Sequence, residues 1–328
     1  MPVWIILSVT MLYVAGLFYI AWRTDRRSDQ LNRTNSPTEY ALALAVYCTS
    51  WTYFGAVGTA TTSGWEYLPI YLGPMFVFLF LPDLIRRISL LVQRESITSL
   101  SDFLAARYGK SRTLATVASL AALMGTLPYI SLQLKSVGWS FQALAFREER
   151  ADLLPPDETV LLTTIILAAF AIMFGARHTD TTRSNVGLVR ILALEAVVKI
   201  LGLLIVAVLS LTLLSDINLQ DFQTAANPFQ SEMNIARFFA TVIVAAGVII
   251  CLPRQFHISF IEQRGEAGHK RARWLFPFYL FLTCLAVVPI TLAGLHALPS
   301  ATPGDLFVLE LPLSAGNDLM ALFIFLGG

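Results

Sequence analysis

The sequence predicts an all-α polytopic membrane protein, and three observations carry that expectation. Of its 328 residues 56% are hydrophobic and 14% charged, with a mean hydropathy of +0.66; a soluble chain carries about 25% charged residues. The apolar residues fall in runs of bilayer length, about 20 residues each. Basic residues cluster in every second connection between those runs. The strand-length alternation of an outer-membrane barrel is not seen.

The elements follow in order. Val3–Trp22 is the first expected span; with no basic stretch before it and no small-residue cleavage site after it, it reads as a retained crossing. The second, Tyr40–Thr61, differs from a plain lipid-facing helix. Thr49, Ser50 and Thr52 add hydroxyls, and Gly55 and Gly58 each lower helix propensity by about 1 kcal/mol. Two readings fit. The backbone opens in mid-bilayer beside a cavity, the place where broken helix is tolerated, or the small residues form a close-packing face. A turn at Ser63–Glu66 leads to span three, Tyr67–Leu84. A basic loop, Arg86–Arg112, follows, in which Ser99 and Asp102 suit the start of a short interfacial helix. Span four is Leu114–Phe146, span five Val160–Ala176, span six Gly187–Leu214, span seven Ile235–Leu252 and span eight Trp274–Leu295. Acidic or polar loops lie at Arg147–Glu158 and Ser215–Glu232, and a basic one at Arg254–Arg273. A ninth span begins near Asp318 and is incomplete at Gly328, so the parent protein is expected to continue.

The loops after spans one, three, five and seven hold eighteen of the 23 Lys and Arg residues. By the positive-inside rule these loops are cytoplasmic and the N-terminus extracytoplasmic.

Ionisable groups inside spans are candidate functional groups. Lys135 follows Tyr129 and Gln133 and precedes Ser136, positions that can line a cavity together; the alternative is a lysine snorkelling to the interface. Glu195 and Lys199 stand four apart, in the favourable order for an ion pair that holds helices in register. Arg190 reads as an interface anchor. His178 with Asp180, and His257 with Glu262, sit at the membrane edge without zinc spacing. Cys48, Cys251 and Cys284 are scattered within apolar runs and form neither a disulfide framework nor a metal pattern. No Ser-His-Asp arrangement can be argued from the sequence, and it shows no phosphate loop and no nucleic-acid signature beyond the basic loops, so the chain itself is expected to be no enzyme and no nucleic acid is expected as a partner.

Four motifs in order resemble the sodium/solute symporter family. Thr49-Ser50-Trp51-Thr52-Tyr53-Phe54-Gly55-Ala56-Val57-Gly58 is similar to its unwound first core helix, Ser-Gly-Trp followed by spaced glycines. Ile97–Gly109 is similar to its Thr-Leu-Pro-Asp-Tyr…Arg-Phe loop, Thr179-Asp180 resembles its Trp-Thr-Asp run, and Arg254–Ile258 with Ala272-Arg273 resembles Gln-Pro-His and the following Ala-Arg. The resemblance covers nearly the whole chain. It implies an incomplete five-plus-five inverted-repeat (leucine-transporter-like) bundle with one extra N-terminal helix. Residues 1–39 are then the leading helix and loop, 40–214 the first repeat and 234–328 the start of the second.

The same resemblance implies a solute site at Thr49, Ser50, Trp51, Thr52, Tyr53, Tyr129, Gln133, Lys135 and Gly247. It implies a coupling cation, Na⁺ or H⁺, with Na⁺ held by backbone carbonyls at Ala45 and Cys48. Tyr47 stands where proline-transporting relatives carry Asp. The run Tyr47–Thr52 also resembles a branch in which this domain is the N-terminal input of a bacterial sensor histidine kinase. That branch implies an amino-acid solute such as histidine or proline, a response regulator as partner of the kinase, and the bacterial inner membrane as location. A free-standing symporter and a membrane anchor that moves no solute are the alternative expectations.

Overall fold

The computed structural model describes residues 1–31, 35–145, 161, 165, 186–215, 217–263 and 265–328. Those residues are helical throughout their elements, with no strand among them. Four helices are long and apolar enough to cross a membrane, rising to six if each of two bent pairs is one span. The described residues thus form an all-α architecture with several helices of membrane-spanning length and composition. Span five, the loop before it, the Thr179-Asp180 motif and His178 lie outside the described residues.

Helix α1 (Val3–Leu31) packs along α8 (Val186–Leu214). Gly187 permits the approach: its amide donates to Asp25 Oδ1 at 2.6 Å, and a Cβ there would lie 2.5 Å from the Ala21 carbonyl. Arg190, expected as an anchor, instead ties three segments, reaching Glu39 at 2.8 Å and Thr24 Oγ1 at 3.3 Å.

The second crossing opens with a capping box, Ser36 and Glu39 exchanging bonds across the first turn of α2 (Pro37–Ala43). A 3₁₀ turn, Leu44–Tyr47, follows. Cys48 and Thr49 are then extended, with ψ of 97° and 178°, before α3 (Ser50–Ser63) begins. Between Pro37–Tyr47 and the stretch Ser50–Phe80 the chain is bent by 54° at this gap. The break precedes the glycines rather than falling on them: Gly55 and Gly58 lie inside regular helix. Their role is space. A Cβ on Gly55 would press on the Trp51 indole at 3.1 Å, and one on Gly58 would overlap Asp305 Oδ1 at 1.6 Å.

The chain reverses at Gly64, whose φ of +52° and close approach to the Pro228 carbonyl both demand glycine. The reversal is proved by Tyr71, on α4 (Leu68–Phe80), whose hydroxyl donates to the Thr52 carbonyl at 3.1 Å. In one continuous helix those residues would stand about 28 Å apart.

The expected basic loop is corrected in its first half. Pro82 starts a second helix, α5 (Pro82–Arg94), and buries Ile85, Ile88, Ser89 and Val92 at helical spacing while Arg86, Arg87 and Arg94 face outward. Span three thus ends at Phe80, since the residue before proline leaves the α region. The short helix expected near Ser99 is α6 (Leu100–Arg107), capped by Ser99 Oγ accepting from the Asp102 amide at 3.0 Å. Helix α7 (Arg112–Ala145) runs 34 residues through Pro128.

The polar loop after α8 contains two short helices, α9 (Leu219–Ala225) and α10 (Asn227–Gln230). Helix α11 (Ile235–Cys251) packs on α4, where Gly73 brings its backbone against Val242 and Ala246. A second bend, of 58°, follows at Leu252–Pro253. Proline removes an amide there and holds Leu252 extended. The chain continues as α12 (Pro253–Phe256), a π-helical turn at His257–Ile261, and α13 (Glu266–Ala297), the most deeply buried of the four long apolar helices among the described residues. The expected loop Arg254–Arg273 is therefore largely helical. A 3₁₀ turn at Gly304–Leu306, the buried α14 (Phe307–Ser314) and α15 (Asp318–Gly327) complete the described chain.

Candidate functional site

The first break leaves backbone groups that need partners, and other helices supply them. The Cys48 amide donates back to Ala45 O at 2.8 Å. The Cys48 carbonyl accepts from Lys199 Nζ at 3.0 Å, and the same ammonium pairs with Glu195 Oε1 at 2.6 Å. Beyond the gap, the Trp51 amide in the first turn of α3 donates to Gln133 Oε1 on α7 at 3.2 Å. Thr49 does not cap its own helix. Its hydroxyl accepts from Tyr129 Oη at 2.7 Å, and Tyr129 accepts in turn from Arg254 at 2.6 Å. The Arg254 guanidinium also stacks over the Tyr129 ring at 4.6 Å. The two bends are thus joined by a chain of three side chains, Thr49–Tyr129–Arg254. Gln255 adds a link from the second bend to the Leu44 carbonyl at 3.4 Å.

Beside α3 lies a cavity of about 170 Å³, far above the roughly 10–15 Å³ that holds one water. Trp51, Gly55, Lys135, Trp139, Ser140 and Asp305 are among its walls. The Lys135 ammonium sits 4.5 Å over the Trp139 ring. Asp305 arrives on the Gly304–Leu306 turn, seated against α3 by the missing side chain of Gly58. Burial lifts the Asp305 carboxyl above its ordinary range, and the Lys135 charge draws it part of the way back. Trp139 Nε1 and Ser140 Oγ are buried without a hydrogen-bond partner among the described residues, as is Gln133 Nε2 next to Trp51. Buried donors without partners are rare and call for an explanation.

Of the residues expected to hold a solute, Trp51 and Lys135 face this cavity together. Thr49, Tyr129 and Gln133 serve the helix break as just described and do not line the cavity. Ser50 is half-buried in the first turn of α3. Thr52 and Tyr53 are buried in packing: Thr52 offers its carbonyl to Tyr71, and Tyr53 Oη lies where a Cβ on Gly202 would stand 2.5 Å away. Gly247 is apart, four residues before the end of α11, with open space within 4 Å of a would-be Cβ. The second break falls at Pro253 instead, so the residue it delivers is Arg254.

Sequence reasoning missed Asp305, Trp139 and Arg254. Pro253 at the end of an apolar run was the available signal for Arg254. Asp305 carries no local signal, because its place depends on Gly58.

Lys135 and Asp305 bring opposite charges to one cavity wall beside the Trp51 and Trp139 rings. Among the described residues no group of three His, Cys, Asp or Glu side chains could hold a metal ion. Comparison with protein-family models, curated proteins and solved structures gave no match.

Proposed function

We propose that the chain binds a small zwitterionic solute, an amino acid, in the cavity between α3 and α7. Lys135 takes its carboxylate, Asp305 its ammonium, and Trp51 and Trp139 its side chain. The observation that carries this reading is one water-accessible hollow walled by a cation, an anion and two unpartnered donors, beside a broken helix. A small hollow with a few convergent polar groups is the usual form of a ligand site.

The fold proposed with it is the leucine-transporter-like inverted repeat. Its support is the two broken stretches, Pro37–Tyr47 with Ser50–Phe80 and Ile235–Cys251 with Pro253–Ile261, bent by 54° and 58°. They would be the first helix of each repeat, and half-helices meeting at the midplane are where such folds bind solute. With eighteen basic residues on one side, the N-terminus would be extracytoplasmic in a bacterial inner membrane. Solute binding would move the two bent helices against each other across the Thr49–Tyr129–Arg254 bridge. It would shift the conformational balance by no more than its differential affinity for the two states. In the kinase-linked branch that shift is the signal passed toward a histidine kinase and its response regulator.

The test is a calorimetric titration of L-histidine, histamine and imidazolepropionate into the detergent-solubilised chain. Histamine lacks the carboxylate and imidazolepropionate the ammonium, so both should bind at least about tenfold more weakly, each having lost one charge-assisted contact. Equal affinity for all three contradicts the reading.

A further inference from the structure

The family resemblance puts a sodium ion at the first helix break, held by backbone oxygen at Ala45 and Cys48. The residues found there do not fit that ion. Ala45 O already accepts the Cys48 amide, and Cys48 O accepts the ammonium of Lys199 at 3.0 Å. Lys199 is buried, with its side chain 8% exposed, and its second bond goes to Glu195 on its own helix.

We infer that the Lys199 ammonium takes the part of the coupling cation at this break, and that the chain binds its solute without sodium. The inference rests on the proposed solute site, because a cation at the break matters only if the break serves binding. The physical need is the same for either charge. A helix ending in mid-crossing leaves carbonyls without partners and a partial negative charge at that end. A cation answers both, whether it is a free ion or the tip of a lysine. Once an ammonium is there, a second cation at the Cys48 oxygen would meet a like charge about 3 Å from that atom. A tethered ammonium also cannot leave, so a sodium gradient has nothing to act on at this position.

A register-holding ion pair between Glu195 and Lys199 would need neither the reach to Cys48 nor burial of the nitrogen. The alternatives are separated by thermal unfolding of the ligand-free chain in NaCl and in choline chloride at equal ionic strength, followed by L-histidine titration in both. The wild-type midpoint should be the same in the two salts, and the Kd for L-histidine should agree within about twofold. Lys199→Met keeps the stem and removes the charge, leaving Glu195 and the Cys48 carbonyl free to take an ion. Its midpoint should be lower than wild type and higher in NaCl than in choline. Should that variant fail to fold, Glu195→Gln retains the ammonium on Cys48 and should remain indifferent to sodium.

A wild-type midpoint raised by sodium, a tenfold tightening of L-histidine by sodium, or a sodium response in Glu195→Gln would overturn the inference, as would a folded Lys199→Met indifferent to both salts. If L-histidine fails to bind in either salt while the midpoints behave as stated, the solute reading falls and the assignment of Lys199 stands.

Discussion

The ammonium of Lys199 lies 3.0 Å from the carbonyl oxygen of Cys48, joining the middle of α8 to the helix break before α3. That contact makes the break affordable in a low-dielectric setting. An unsatisfied carbonyl in hydrocarbon costs several kcal/mol, and this one is met by a charged donor. The amide side of the gap is met by Gln133, and the Thr49 hydroxyl by Tyr129. The open backbone of the second crossing is therefore held by three partners from two other helices.

Thr49→Val keeps the side chain's shape and removes the acceptor of the Tyr129 hydroxyl. The variant should lose about 0.5–1.5 kcal/mol of stability, the usual net worth of one hydrogen bond. Tyr129→Phe should cost more, because it also takes the acceptor from Arg254, and the double variant should cost less than the sum, because both changes remove the Thr49–Tyr129 bond. Additive losses in thermal or denaturant unfolding would mean the bridge is not formed.

Gly58→Ala places a methyl where Asp305 now sits, 1.6 Å from its Oδ1. Overpacking of this kind costs about 1–3 kcal/mol, and here the yielding part is the Gly304–Leu306 turn. The expected result is a folded protein with a modestly lowered midpoint and solute affinity down at least about tenfold. Unchanged affinity in a calorimetric titration would remove Asp305 from the site.

Affinity should depend on pH through Asp305. Its carboxyl is held above the ordinary 3.8 by burial, with Lys135 opposing. A raised carboxyl favours the neutral form, so the folded chain binds that proton more tightly than the unfolded one. Stability from this group is present at low pH and is lost as pH rises from 3.8 through the folded value. The solute ammonium needs the carboxylate, so affinity should rise over the same interval, and protons should be released on binding. Asp305→Asn should flatten both profiles. A wild-type affinity that is flat across that range would contradict the assignment.

Much of the architecture was legible because bilayer-length apolar runs and alternating basic loops are local signals. Eight of the nine expected spans have helical counterparts among the described residues, and the interfacial helix capped by Ser99 begins where its capping residues stand. The break in the second crossing was legible as a tendency, from the hydroxyls, but its position was not. Glycine propensity pointed at Gly55 and Gly58, whereas packing of Trp51 and Asp305 is what those glycines serve. Glu195 and Lys199 were legible as a pair four apart; that Lys199 also reaches Cys48 depends on how α8 docks on α2. The helix Pro82–Arg94 was hidden by its charge, since a stripe of Ile85, Ile88 and Val92 among arginines reads as loop when only basic content is counted. Asp305 and Arg254 belong to the site through tertiary contacts alone.

The most direct test of the account is the affinity of the chain for L-histidine before and after Trp51→Ala. Trp51 lies at the start of α3, bonded through its amide to Gln133 and walling the cavity with its ring. The substitution leaves the amide in place and removes the wall. Truncating an aromatic anchor of a binding site costs about 2 kcal/mol or more, so the account predicts a saturable titration in wild type, weakened at least about tenfold in Trp51→Ala at an unchanged fold by circular dichroism. Equal affinity in the two proteins would contradict it.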